Sequence, residues 1–180
     1  MTTGHVFVAT SLDGFIARKD HALDWLPQEK IDGEDSGYET FISSIDGLIM
    51  GRGTFEKVLN FGDWPYPKPV IVLSKTLDAI PEELEGKVRI SQLSPTEIMK
   101  TLAEEGWTRA YVDGGQIVQS FLKEGLIDDI VVTFIPILIG EGIRLFGKTD
   151  GDVNLKLVAS QAYSSSGMVQ NHYKVLYSKQ

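Results

Sequence analysis

The sequence predicts an α/β fold, a mostly parallel sheet with an antiparallel hairpin at its C-terminal edge. Short strand-like runs (Gly47–Met50, Val70–Leu73, Val88–Ser91 and Arg109–Val112) alternate with helical patterns, the signature of a parallel sheet with crossover helices. The clearest of them, Val70-Ile71-Val72-Leu73, is apolar throughout, as in strands covered on both faces. The last two segments, Val153–Tyr163 and Met168–Tyr177, instead alternate in polarity around Ser164-Ser165-Ser166-Gly167, as an antiparallel hairpin does.

Taken in order, His5–Thr10 is a first strand rich in Val and Phe, broken by Ser11-Leu12-Asp13-Gly14, with Phe15-Ile16-Ala17 as a short apolar return. Lys19–Gly33 is polar and irregular, anchored by Leu23, Trp25, Leu26 and Pro27. A helix is expected from about Ser36 to Ser44, since Tyr38, Phe41, Ile42 and Ile45 recur at helical spacing. After the Gly47–Met50 strand, a short helix is expected over Phe55–Leu59 with Thr54 as its N-cap. Phe61–Pro69 holds three of the seven prolines with Trp64 and Tyr66, and reads as a rigid loop. Ser94-Pro95-Thr96-Glu97 opens a helix to Glu105 that Gly106 closes, and Gln116–Lys123 is a helix stopped by Gly125. Asp129–Leu138 is a long β-branched strand followed by the loop Gly140-Glu141-Gly142. No linker, repeat or low-complexity tract interrupts the pattern, so residues 1–180 are expected to form one domain.

Composition narrows the function. A net charge of −8 argues against a nucleic-acid surface. The absence of cysteine excludes disulfides and thiolate metal sites, and His5, His21 and His172 lack metal-ligand spacing. No apolar run approaches the roughly 20 residues that span a bilayer, and Thr2-Thr3-Gly4 leads straight into a strand, so the cytoplasm is the expected location.

Three strand-to-loop junctions carry the functional signal: Ile49-Met50-Gly51-Arg52-Gly53-Thr54, Val72-Leu73-Ser74-Lys75-Thr76, and Tyr111-Val112-Asp113-Gly114-Gly115-Gln116. The first and third lead into helices, whose N-termini present unpaired N–H groups and partial positive charge to phosphate. In open α/β sheets ligands bind beyond the strand C-termini. Three such junctions suggest a ligand with several phosphates, such as a dinucleotide. Each has a plainer reading, as a tight turn, a close helix–sheet contact or a solvated lysine. Neither GxGxxG nor the Walker pattern is present.

These junctions, with Ser11-Leu12-Asp13-Gly14-Phe15-Ile16-Ala17 before them and Pro136–Phe146 (Pro-Ile-Leu-Ile-Gly-Glu-Gly-Ile-Arg-Leu-Phe) after them, resemble the dihydrofolate reductase-like superfamily. They are most similar to the reductase domain of the bifunctional riboflavin-pathway deaminase–reductase and its stand-alone relatives. The resemblance implies a dihydrofolate reductase-like three-layer α/β/α fold. It implies an NADPH site with Arg52 and Thr54 at the 2′-phosphate and pyrophosphate region, and Leu73, Ser74 and Lys75 near the adenosine end. Gly114, Gly115 and Gln116 would cover the pyrophosphate through backbone N–H groups, Gly51, Gly53, Asp113 and Ile117 would belong to the same cofactor site, and Ala9 and Ile16 would flank the nicotinamide. It places a pocket carboxylate at Asp35 and its hydroxyl partner at Thr133 as the catalytic pair, with Trp25 and Tyr38 on the substrate. The implied activity is NADPH-dependent hydride transfer to a pterin, a pyrimidine or a related heterocycle, such as one of the 5-amino-6-(5-phosphoribosylamino)uracil type, by a cytoplasmic homodimer. A true dihydrofolate reductase and a non-catalytic nucleotide-binding module are the alternatives. Lys68 stands where folate enzymes place an arginine and Val118 where they place an aromatic residue, and a lysine lacks the fork that grips a carboxylate bidentately. The deaminase half and its zinc ligands have no counterpart in these residues.

Overall fold

The computed structural model describes residues 1–27 and 36–177. Its strands are β1 (Thr3–Ser11), β2 (Phe15–Ala17), β3 (Gly47–Gly51), β4 (Val70–Leu73), β5 (Val88–Ser91), β6 (Arg109–Asp113), β7 (Ile127–Ile135), β8 (Ile143–Arg144), β9 (Asn154–Tyr163) and β10 (Met168–Leu176). The helices are α1 (Tyr38–Ser43), α2 (Arg52–Leu59), α3 (Pro95–Glu104) and α4 (Gly115–Lys123). One eight-stranded sheet has the order β5-β4-β3-β6-β1-β7-β10-β9, and β2 pairs with β8 in a small separate ribbon. The strands from β5 through β7 are parallel, β10 runs antiparallel to β7, and β9 antiparallel to β10.

The apolar runs explain the layering. Successive strand residues point to opposite faces, so a strand without polar alternation needs cover on both. Leu48, Met50, Val70, Val72 and Tyr111 pack with Phe41 of α1 and Phe55 of α2. Ile49, Ile71 and Val112 pack on the other face with Ile98 and Leu102 of α3 and Val118 and Phe121 of α4. The result is the three-layer helix–sheet–helix arrangement of the dihydrofolate reductase-like fold. The C-terminal hairpin forms as its alternation predicts, with Met168 opposite Tyr163. Among the described residues no helix is long and apolar enough to cross a membrane.

Several boundaries differ from the sequence-based expectation. The first helix is shorter, beginning at Tyr38 after Gly37 in the left-handed region (φ 75°). The second begins at Arg52 rather than Phe55, with Gly51 as N-cap, so Thr54 lies inside its first turn and caps nothing. β7 ends at Ile135, because the chain then turns to place β8 against β2, a two-residue strand too short to leave a periodic signal. α3 opens as expected with Pro95 at its first position, and its N-terminus is boxed: Ser94 accepts from the Glu97 N–H and the Glu97 carboxylate accepts from the Ser94 N–H.

At the end of the sheet remote from the strand C-termini, the fully buried His5 links β1 to β7. Its Nδ1 lies 2.9 Å from Asp129 Oδ2 and its Nε2 2.8 Å from Thr3 Oγ1, while His172 Nε2 stands 3.7 Å from Asp129 Oδ1. Burial pushes the Asp129 carboxyl up, but the His5 hydrogen bond and the charges of His5, His172 and Arg109 outweigh it and hold the group below its ordinary 3.8. A carboxyl depressed in the folded state contributes stability above its unfolded pKa, which is lost as pH falls through the folded value. Asp129→Asn is therefore expected to cost on the order of 2–3 kcal/mol at pH 7. Urea midpoints should converge with wild type as pH drops below about 3.8, and an unchanged midpoint at neutral pH would show that the bridge contributes nothing.

Candidate active site

The strand order brings the three sequence junctions together. β4, β3 and β6 are adjacent and parallel, with Gly51 registered against Leu73 and Met50 against Asp113. Their C-terminal ends open on a cleft of about 820 Å³, closed on its other sides by Phe7–Ala9 of β1 and by Ile16 and Ile143 of the β2–β8 ribbon. Ala9, Ile16, Gly51, Arg52, Gly53, Thr54, Leu73, Ser74, Asp113, Gly114, Gly115, Gln116 and Ile117 all line it. Lys75 does not; it is exposed, and Thr76 stands in the wall instead.

Two helices begin at this cleft, and neither has a side-chain cap: α2 after Gly51 and α4 after Gly114. Their first-turn N–H groups lack intrahelical partners and are available to an anion. The contrast with the fully boxed N-terminus of α3 is local and specific. Gly114 is required by its backbone (φ 93°) and because a Cβ there would lie 2.7 Å from Thr54 Oγ1, so the starts of α2 and α4 touch. In an acidic chain the walls gather Arg52, Lys57, Lys19 and His21 against two carboxylates, Glu56 of α2 and Asp113 at the end of β6. Arg52 reaches Thr76 Oγ1 at 2.9 Å and pairs with Glu56 at 3.1 Å, which spans its guanidinium from α2 to the loop after β4.

The cleft floor was less visible in the sequence. Phe7, Tyr66 and Tyr111 line it beside Asp113. Asp113 keeps some surface toward the cleft, but its carboxyl is enclosed, and burial pushes it up to about 6, partly offset by the Gly114 N–H that donates to Oδ1 at 2.8 Å. Burial first, and the Asp113 charge second, push the phenols of Tyr38, Tyr66 and Tyr111 up, so they remain neutral donors. The Tyr111 hydroxyl donates to the Phe7 carbonyl at 2.8 Å. Phe61–Pro69 thus does more than connect elements: it carries Tyr66 to the floor, with Trp64 wedged edge-on between Phe55 and Tyr66.

The residues expected on the substrate do not all reach this wall. Tyr38 packs edge-on against Phe7 with ring centroids 5.6 Å apart, behind the floor. Trp25 is buried away from the cleft, and its Nε1 has no hydrogen-bond partner among the described residues. Thr133 pairs with Ala9 across β1 and β7, but it is buried and its hydroxyl accepts from Gln170 Nε2 at 2.9 Å. The same Gln170 amide donates to the Ser36 carbonyl at 3.0 Å. Gln170 carries no motif that would have marked it. Asp35 lies outside the described residues.

The match to known proteins agrees with this geometry. The model of the RibD C-terminal domain family matches residues 3–169. The Bacillus subtilis protein YwjB, itself uncharacterized, is 32% identical over 171 residues, covering 93% of this chain and 95% of its own. A crystal structure from Shewanella sp. PV-4, described as a candidate riboflavin biosynthesis protein, superposes with a TM-score of 0.91 at 40% identity, over 98% of this chain and 100% of that one. Dihydrofolate reductase from Enterococcus faecalis, solved with NADP(H), has the same fold at 17% identity and a TM-score of 0.65, with 96% of each chain covered. With its cleft at the C-terminal ends of parallel strands and a family match along nearly all its length, the chain belongs to the RibD C-terminal domain family.

Proposed function

We propose that the cleft takes NADPH and that the protein is a reductase for a flat heterocycle of the pyrimidine or pterin kind. The observation that carries this reading is the pair of uncapped helix N-termini, α2 and α4, facing one cleft from neighbouring strands. A dinucleotide has a diphosphate at its centre, and two sets of free N–H groups suit it better than they suit a monoanion. The amides of Gly53, Thr54, Gly115 and Gln116 would hold the diphosphate. Arg52, braced by Glu56 and Thr76, would meet the 2′-phosphate. Ala9 and Ile16 would flank the nicotinamide.

When bound, the reduced nicotinamide supplies the hydride. The chain's own contribution is alignment, exclusion of water and a proton. Phe7, Tyr66 and Tyr111 offer an aromatic floor for a planar ring. Asp113 faces it, and its carboxyl, pushed up to about 6, can give a proton to the nitrogen or oxygen that gains the electron pair when a C=N or C=O bond is reduced. Asp35 and Thr133 are proposed for the far side of the substrate, where Gln170 ties the Thr133 hydroxyl to the carbonyl of Ser36, next to Asp35 in sequence. Lys68 in place of a forked arginine favours a heterocycle without a glutamate tail over folate. A cytoplasmic homodimer is proposed as the working form. The outer strand β9 and the segment after β7 leave Leu157, Val158 and Leu138 more than half exposed, an apolar surface that a second copy would cover.

Saturating NADPH, at about 100 times Kd, is expected to stabilise the protein by about 2.7 kcal/mol and raise Tm by roughly 5–10 °C. If neither NADPH nor NADH moves Tm, the cofactor assignment is wrong. Arg52→Ala should weaken NADPH about 10- to 100-fold while changing NADH little, and equal losses would remove Arg52 from the 2′-phosphate. Asp113→Asn separates chemistry from stability. Because the folded pKa is raised from 3.8 to about 6, the native state holds the proton more tightly. Stability therefore falls as pH rises through that window, by roughly 3 kcal/mol in all. The Asn variant should be more stable than wild type at pH 8, with the gain vanishing below 3.8, yet turn over roughly 100-fold more slowly. Wild-type turnover should decline as pH rises past about 6 and the variant's should not; matching pH profiles would exclude Asp113 as the acid.

A further inference from the structure

Among the described residues His21 is the one non-glycine residue with positive φ, at 62°. It stands at the mouth of the cleft, exposed, in a turn closed by the His21 N–H to the Arg18 carbonyl and the Arg18 N–H to the Ala22 carbonyl, both 3.0 Å. A β-carbon makes that conformation unfavourable, and such strain persists only where the surroundings impose it. The ring lies against Gly53, the second residue of α2: a Cβ there would be 2.8 Å from His21 Cε1 and 3.4 Å from Nδ1. Gly53 does not have positive φ, so its backbone does not demand glycine. The imidazole occupies the space that a Cβ would take. A residue held in an unfavourable conformation thus lays its imidazole beside the free N–H groups of an uncapped helix. Neither ring nitrogen has a hydrogen-bond partner among the described residues.

We infer that His21 is a ligand-binding residue, donating a ring N–H to the diphosphate bridge of the dinucleotide beside the amides of Gly53 and Thr54. This rests on the cofactor reading above and extends it to a residue from a different part of the chain. The diphosphate, rather than the 2′-phosphate, follows from position: Arg52 turns toward Thr76 and the β4 loop, whereas His21 sits on the face of α2 where Gly53 leaves room for it.

The test uses the full-length protein, the His21→Gly variant and two measurements. Glycine accepts positive φ, so the ligand-free variant is expected to melt no lower than wild type. Its affinity should fall by about 5- to 20-fold, equally for NADPH and NADH because both carry the diphosphate. In wild-type protein the His21 ring resonances, assigned by their loss in the variant, should move on titration with NADPH. Those of His5 and His172, beside Asp129 at the opposite end of the sheet, should stay in place. If wild type binds a dinucleotide and the variant binds it equally, or if the His21 resonances stay fixed while ligand binds, the assignment of His21 is wrong and the cofactor reading stands. A loss confined to NADPH would place His21 at the 2′-phosphate and overturn the diphosphate assignment. If wild type binds neither dinucleotide, both fall together.

Discussion

The site depends on one constraint: β4, β3 and β6 are neighbours, parallel, and end at the same level of the sheet. Parallel pairing forces the chain to leave each strand at that edge and return by a crossover. Two of these exits turn at once into α2 and α4, so two helix N-termini are set side by side, and the contact between Thr54 and Gly114 fixes their spacing. Their free amides have no cap from the chain itself, whereas α3, which also follows a strand of this sheet, is capped twice over by Ser94 and Glu97. The difference between a closed and an open helix end marks where the fold leaves room for an anion.

Around that edge the sequence departs from what stability alone would choose. Asp113 is enclosed beside three tyrosines with a single N–H to compensate it, and His21 occupies a conformation that glycine would fill more comfortably. At the other end of the sheet the rule is the reverse: His5, Asp129 and Thr3 satisfy one another around a buried imidazole. Local conflict on one edge and local consistency on the other is the distribution expected when one edge binds and the other supports.

The sheet was legible because its strands are apolar and short and its helices carry ordinary signals, Pro95 and Gly106 around α3 above all. The three junctions were legible as one edge of the sheet, since the C-terminal ends of neighbouring parallel strands meet there, although each alone reads as well as a turn. What sequence reasoning missed lacks a periodic or compositional signal. β8 has two residues, and its place is set by pairing with β2. Thr54 fits a cap by type, but the helix starts at Arg52, directly after Gly51, whose ordinary extended backbone ends β3 and serves as the N-cap. Tyr66 and His21 sit in loops whose course only the folded chain defines, and Gln170 matters through a contact 37 residues distant, with Thr133. The ionisation of Asp113 is a property of its enclosure and cannot be read from its neighbours in sequence.

The central claim is that the first turns of α2 and α4 grip one diphosphate, and amide NMR on titration with NADPH tests it most directly. The signals of Gly53, Thr54, Gly115 and Gln116 should shift together and saturate at one equivalent, while Glu97 and its neighbours in the capped turn of α3 stay fixed. Movement of only one helix's amides, or none, would contradict the account, because both first turns are claimed to hold the same diphosphate.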